Sequence, residues 1–169
     1  MSDEHKYMDL ALEEARKAER EGNLPIGAIL VINREIVGKG KNNQVSNSNY
    51  FSHAESMLIG ENSSRIKDAL KKGEGIELFT TLEPCLMCFG TSVHNRVSRI
   101  VYACPDPLAG ATSMDPPTEW YRRKWPTITR NVDREASYEL FTGYLRGHLD
   151  IWENALRQFE DMHKSWQTP

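Results

Sequence analysis

Apolar and polar positions recur along the chain with two different periods, and the switches between them mark the expected elements. Residues 3–21 have helical spacing: Tyr7, Leu10, Ala11, Ala15 and Ala18 share one stripe and charges fill the rest. Gly22 and Asn23 end that helix, and Pro25 blocks its continuation. The run 26–32 is apolar and rich in β-branched residues, Asn33-Arg34 reads as a tight turn, and a second strand starts at Glu35. Polar residues 41–50 form a loop. A helix is expected to begin near His53, with Ser52 as its N-cap and Glu55 completing a capping box. A charged helix follows over 65–72. Strands are expected at 76–82, 98–103 and 127–132, with a helix over 85–96 between the first two. Segment 104–126, rich in proline, glycine and aromatic residues, is long for a plain connection and reads as a lid or binding loop. Helices over 134–146 and 148–166, separated by Gly147, follow it. Trp152, Leu156 and Phe159 give the last one an apolar stripe.

Strands alternating with helices in this order imply an α/β fold, with a central mixed five-stranded sheet covered by helices on both faces. A chain of 169 residues suits one domain, here 1–169 with a helical extension from about residue 134. Hydrophobic residues at 39% and charged residues at 27% are the balance of a globular protein that buries a core. The net charge of −3 supplies no global field for nucleic acid, although a local basic patch such as Arg122-Arg123-Lys124 stays open. No signal-peptide pattern and no apolar run of membrane-spanning length is present, so the expected location is cytoplasmic, with no membrane partner.

Three cysteines do not make a disulfide framework, but two of them form a C-x-x-C pair. Cys85 and Cys88 are spaced i, i+3 at the start of an expected helix, so both sulfurs can face one point, and a helix N-terminus favours thiolate. His53 opens another expected helix. If the two helix starts converge, His53, Cys85 and Cys88 supply three zinc ligands and leave the fourth tetrahedral position for water, whose pKa zinc lowers to about 7. Glu55 lies two residues after His53, near the metal but not on it, where one carboxylate can serve as both base and acid. A C-x-x-C or a His-x-Glu alone carries little weight; the weight comes from the combination, with a strand leading in and Pro84 before the first cysteine. A four-ligand structural site would need a further ligand, and Cys104, read as a buried free thiol, is the one remaining cysteine.

His-x-Glu followed by Pro-Cys-x-x-Cys is a zinc deaminase signature. The chain resembles the cytidine deaminase-like superfamily, in the branch of tRNA adenosine deaminases, guanine deaminases and fungal-type cytosine deaminases. The matching stretches are Leu24-Pro25-Ile26-Gly27-Ala28, Gly38-Lys39-Gly40-Lys41-Asn42, His53-Ala54-Glu55, Thr81-Leu82-Glu83-Pro84-Cys85-Leu86-Met87-Cys88 and Arg99-Ile100-Val101-Tyr102, within residues 5–113. The resemblance implies a three-layer α/β/α sandwich, bound zinc, hydrolytic release of ammonia from an aminated ring, and a homodimer. It implies that His53, Cys85 and Cys88 bind zinc and that Glu55 shuttles protons. It also implies that Asn42 holds the substrate ring and that the Glu83 carbonyl lies near the reacting groups. An ordinary turn role for Asn42, beside Asn43, is the alternative. Asp106 aligns with a substrate-proximal position in some relatives, while its Cys-Pro-Asp-Pro setting equally suits a turn.

Trp120, Tyr121 and Trp125 are candidates to stack on a planar ring, and Glu119 to read a ring N–H; packing on the surface or on a dimer partner is the alternative. The candidate substrate-binding set is thus Asn42, Ala54, Glu83, Asp106, Glu119 and Trp120. The acidic balance and the lack of a basic ending favour a small heterocyclic base or nucleoside, such as guanine or cytosine, over tRNA. Deamination of a tRNA adenosine at the wobble position is the first alternative, and a non-catalytic zinc-stabilised binding module the second.

Overall fold

The interior strands declare themselves by burial. The computed structural model describes residues 3–166, in which β1 (Gly27–Ile32) is buried at every position. Together with β3 (Ile76–Leu82) and β4 (Arg99–Cys104) it forms the middle of a five-stranded sheet. The edges are β2 (Glu35–Lys41) and β5 (Thr127–Thr129), in the order β2-β1-β3-β4-β5. Asn33 and Arg34 both adopt positive φ, 49° and 68°, which lets a two-residue turn follow the twist of the β1–β2 hairpin. β1 pairs antiparallel with β2 and β3, whereas β3–β4 and β4–β5 are parallel, so the sheet is mixed as expected.

Alternate residues of each strand serve opposite faces. Ile29, Val31, Phe79 and Val101 pack against Tyr7, Met8, Ala11 and Leu12 of α1 (Asp3–Arg20). Leu30, Ile32, Leu78 and Ile100 face the opposite layer. That layer is built by α2 (Ala54–Glu61), α3 (Ser63–Lys72) and α4 (Leu86–His94). α1 lies almost on the backbone of β1, since a Cβ at Gly27 would sit 2.1 Å from the Ala11 carbonyl oxygen. Gly40 does the same for α2, because a Cβ there would come within 2.8 Å of the Ala54 carbonyl. A short α5 (Glu119–Arg122) interrupts the long segment after β4. α6 (Arg134–Arg146) then packs beside α1 and β4, and α7 (Leu149–Trp166) packs on α6. Among the described residues no helix is long and apolar enough to cross a membrane.

Two local expectations change. The capping box does not form: α2 starts at Ala54 with His53 at its N-cap, and no side chain caps it. Ser52 instead accepts a hydrogen bond from Asn47, and Glu55 turns toward Thr80 and Cys88. The last strand is shorter than expected, because only Thr127–Thr129 keep register with β4.

Candidate active site

Parallel β3 and β4 end at the same edge of the sheet, and the chain leaves β3 directly into α4. Pro84 and Cys85 make that turn, with Cys85 in an extended conformation at the N-cap of α4. α2, docked on β2 through Gly40, brings its own N-cap residue to the same point. His53 Nδ1 lies 3.7 Å from Cys85 Sγ and 3.5 Å from Cys88 Sγ. All three ligand atoms fall within 4.8 Å of one another. Bonds of about 2.0–2.3 Å at tetrahedral angles place ligand atoms roughly 3.5 Å apart, so this donor set fits zinc.

The electrostatics suit the same ion. The Cys88 thiol and His53 hold the Cys85 thiol down at about 4, against the opposing effect of burial. Cys88 is pushed up, first by the hydrogen bond it shares with Cys85 and then by burial. His53 is raised chiefly by its hydrogen bond to Cys85. A metal taking both sulfurs as thiolates would displace the proton held on Cys88. Glu55 is 3% exposed, and burial raises its carboxyl. It accepts hydrogen bonds from Thr80 Oγ1 at 3.3 Å and from Cys88 Sγ at 3.5 Å.

A cavity of about 240 Å³ opens onto this cluster. His53, Glu55, Glu83, Cys85 and Asp106 form its polar side. Leu24, Ile26, Leu82 and Leu108, with Phe141 of α6 and Trp152 and Phe159 of α7, form its apolar side. The Glu83 carboxylate accepts from the Asp106 and Thr112 N–H groups and from the Thr112 hydroxyl, which fastens segment 106–112 beside the cavity. Gly110 is required there, because a Cβ would sit 2.5 Å from Glu83 Oε2. Asp106 takes part in both the cavity lining and a turn, in which its Oδ1 accepts from the Leu108 and Ala109 N–H groups.

Other candidates lie elsewhere. Asn42 is fully buried, but its amide is engaged with Gln44, accepting from the Gln44 N–H at 3.0 Å and donating to Gln44 Oε1 at 3.2 Å. It is not among the residues lining the cavity. Ala54 is wholly buried in the core between His53 and Glu55. Glu119 is exposed and pairs with Arg122 and Arg123 on its own short helix. Trp120 lies under the Lys124 ammonium, and Trp125 meets Phe89 edge-on at 5.0 Å. The later half of the long segment therefore packs against α4, away from the cavity. Sequence reasoning missed Phe141, Trp152 and Phe159 as cavity residues. The stripe on α7 was visible, but not what it faces.

The family model for the cytidine and deoxycytidylate deaminase zinc-binding region matches residues 1–104, which contain His53, Glu55, Cys85 and Cys88. The chain is similar to the tRNA-specific adenosine deaminase of Bacillus subtilis, 39% identical over 112 residues, 66% of this chain and 68% of that one. It is similar to the tRNA-specific adenosine deaminase of Aquifex aeolicus, 35% identical over 140 residues, 80% of this chain and 91% of that one. Among solved structures, guanine deaminase from Nitrosomonas europaea superposes with a TM-score of 0.69 at 25% identity, covering 83% of each chain. A structure from work on A-to-I editing by tRNA:A34 deaminases superposes with a TM-score of 0.61 at 28% identity, covering 74% of this chain and 96% of that one. The chain belongs to the cytidine and deoxycytidylate deaminase zinc-binding family.

Proposed function

We propose that the protein is a hydrolytic deaminase whose substrate is an adenosine carried in tRNA. The observation that carries this reading is the reach of the Aquifex similarity. Residues 1–104 hold the zinc-binding region that deaminases share, and a match over 80% of the chain extends past them. The relatives by sequence favour tRNA over the free base that the acidic balance suggested, although a guanine deaminase is among the structural neighbours. Overall charge is a weak guide here, because RNA contact needs only a local surface.

His53, Cys85 and Cys88 would hold the metal, and zinc when bound makes hydroxide available near neutral pH. Glu55 takes a proton from the attacking water and returns it to the departing amine. The water oxygen becomes the ring carbonyl oxygen, its second proton ends on the adjacent ring nitrogen, and the amine leaves as ammonia. Burial of Glu55 keeps bulk water from competing for that proton. The apolar side of the cavity receives the faces of the ring. A homodimer, implied by the resemblance, belongs to the same proposal.

A second reading, a free purine base such as guanine, is favoured by the aromatic closure of the cavity by Phe141, Trp152 and Phe159. Inosine appearing in an anticodon stem-loop after incubation with the zinc-loaded protein, read by nuclease digestion and mass spectrometry, supports the tRNA reading. Ammonia from guanine with no change in the stem-loop replaces it with the second. Neither product from a zinc-bound protein favours a binding module.

A further inference from the structure

The loop between β2 and α2 is braced by its own polar side chains and by Asn23, and leaves two aromatic rings outside. Asn23 Oδ1 accepts from the Val45 and Ser46 N–H groups at 2.9 and 3.0 Å. Asn47 donates to Ser52, and Asn49 accepts from the Phe51 N–H. The loop is thereby braced in one shape. Yet Tyr50 is 92% exposed and Phe51 59% exposed, and neither ring contacts another aromatic ring among the described residues.

Their place in the chain gives this exposure meaning. The Phe51 carbonyl accepts from the His53 N–H at 2.8 Å and from the Ser56 hydroxyl at 2.9 Å. The Phe51 backbone is therefore tied to the first turn of α2, which carries His53 and Glu55, and Tyr50 adjoins it in the chain. An enzyme acting on a base within a strand must draw that base out of its stack, and the neighbouring bases then lose a partner. Exposed aromatic rings replace that partner, because every base has a π-face.

We propose that Tyr50 and Phe51 form a stacking platform for the unpaired base adjoining the one deaminated, so that the protein takes its substrate from a single-stranded loop of nucleic acid. This rests on the RNA reading above and adds to it where the neighbouring nucleotide is held. It also explains why a polar, asparagine-rich loop retains two large apolar side chains in water.

The test uses the full zinc-loaded chain and a hairpin RNA with an adenosine in its loop. 2-Aminopurine placed beside that adenosine reports stacking by quenching, and anisotropy reports affinity. Tyr50→Ala with Phe51→Ala is expected to weaken binding on the order of 10- to 100-fold and to abolish the quenching. The salt dependence should stay the same, because no phosphate contact is removed. Tyr50→Trp with Phe51→Trp should retain both signals. Undiminished binding and quenching in the alanine variant overturns the platform and leaves the RNA reading standing. A wild-type protein that neither binds nor deaminates the hairpin overturns both. A dimer that becomes a monomer in the alanine variant, seen by sedimentation velocity, assigns the rings to a subunit interface and also overturns the platform.

Discussion

The two sides of the cavity are made in opposite ways. The metal corner is polar and is assembled from the first turns of two helices, α2 and α4, at the ends of strands. Each contribution is short and local: His53 with Glu55, and Cys85 with Cys88. The apolar lining mixes aliphatic residues near the strands with Phe141, Trp152 and Phe159 from helices late in the chain, far in sequence from the metal corner. The corner determines which reaction is possible, because ligands and proton carriers must be of particular types at particular distances. The apolar lining constrains only shape and polarity, and many apolar side chains could build one. Chemistry is thus tightly specified by type and spacing, and specificity only by shape.

Substitutions should separate the two sides. The largest effect is expected from Cys88→Ala, which removes a buried ligand; zinc content measured by atomic absorption should fall close to zero, activity should vanish and thermal stability should drop. Full zinc occupancy in that variant would show that the corner is not the metal site. Glu55→Gln should keep zinc and fold but lower kcat on the order of 10²- to 10⁴-fold. Unchanged turnover there would remove Glu55 from proton transfer. On the opposite side, Trp152→Ala should raise KM by about two- to tenfold with a smaller change in kcat, as expected for a ring-stacking wall. A loss confined to kcat would instead tie the wall to the chemistry. The smallest effect belongs to Glu119→Ala, which should alter kcat/KM by less than about twofold, since Glu119 pairs on the surface with Arg122 and Arg123. A large loss would mean that segment 119–125 closes over the cavity in the substrate complex.

The fate of individual residues shows where sequence reading reaches and where it stops. The helix of residues 85–96 and its cysteine pair were legible, because i, i+3 spacing on one helical turn brings side chains together without help from the rest of the chain. β1 was legible as a continuous apolar run rich in β-branched residues, the pattern of a strand buried between two helical layers. Asn42 was not legible in the same way. Its amide bonds Gln44, a contact that its placement in the chain did not announce. The capping box at Ser52 failed for a related reason: Glu55 satisfied the local pattern, while the neighbouring Cys88 and Thr80 supplied other partners.

Segment 104–126 read as the candidate ring-stacking loop, whereas the α7 stripe read only as an apolar face. The fold separated them. Trp125 meets Phe89 of α4, while α7, packed on α6, brings Trp152 and Phe159 to the cavity. By itself the sequence determined the elements, the mixed α/β layering and the residues able to hold zinc and carry protons, because period, turn residues and ligand spacing act over one or two turns of chain. The tertiary structure alone decided which aromatic side chains face the metal corner and which amides are already engaged. Those outcomes depend on contacts between distant segments, for which a local pattern carries no address.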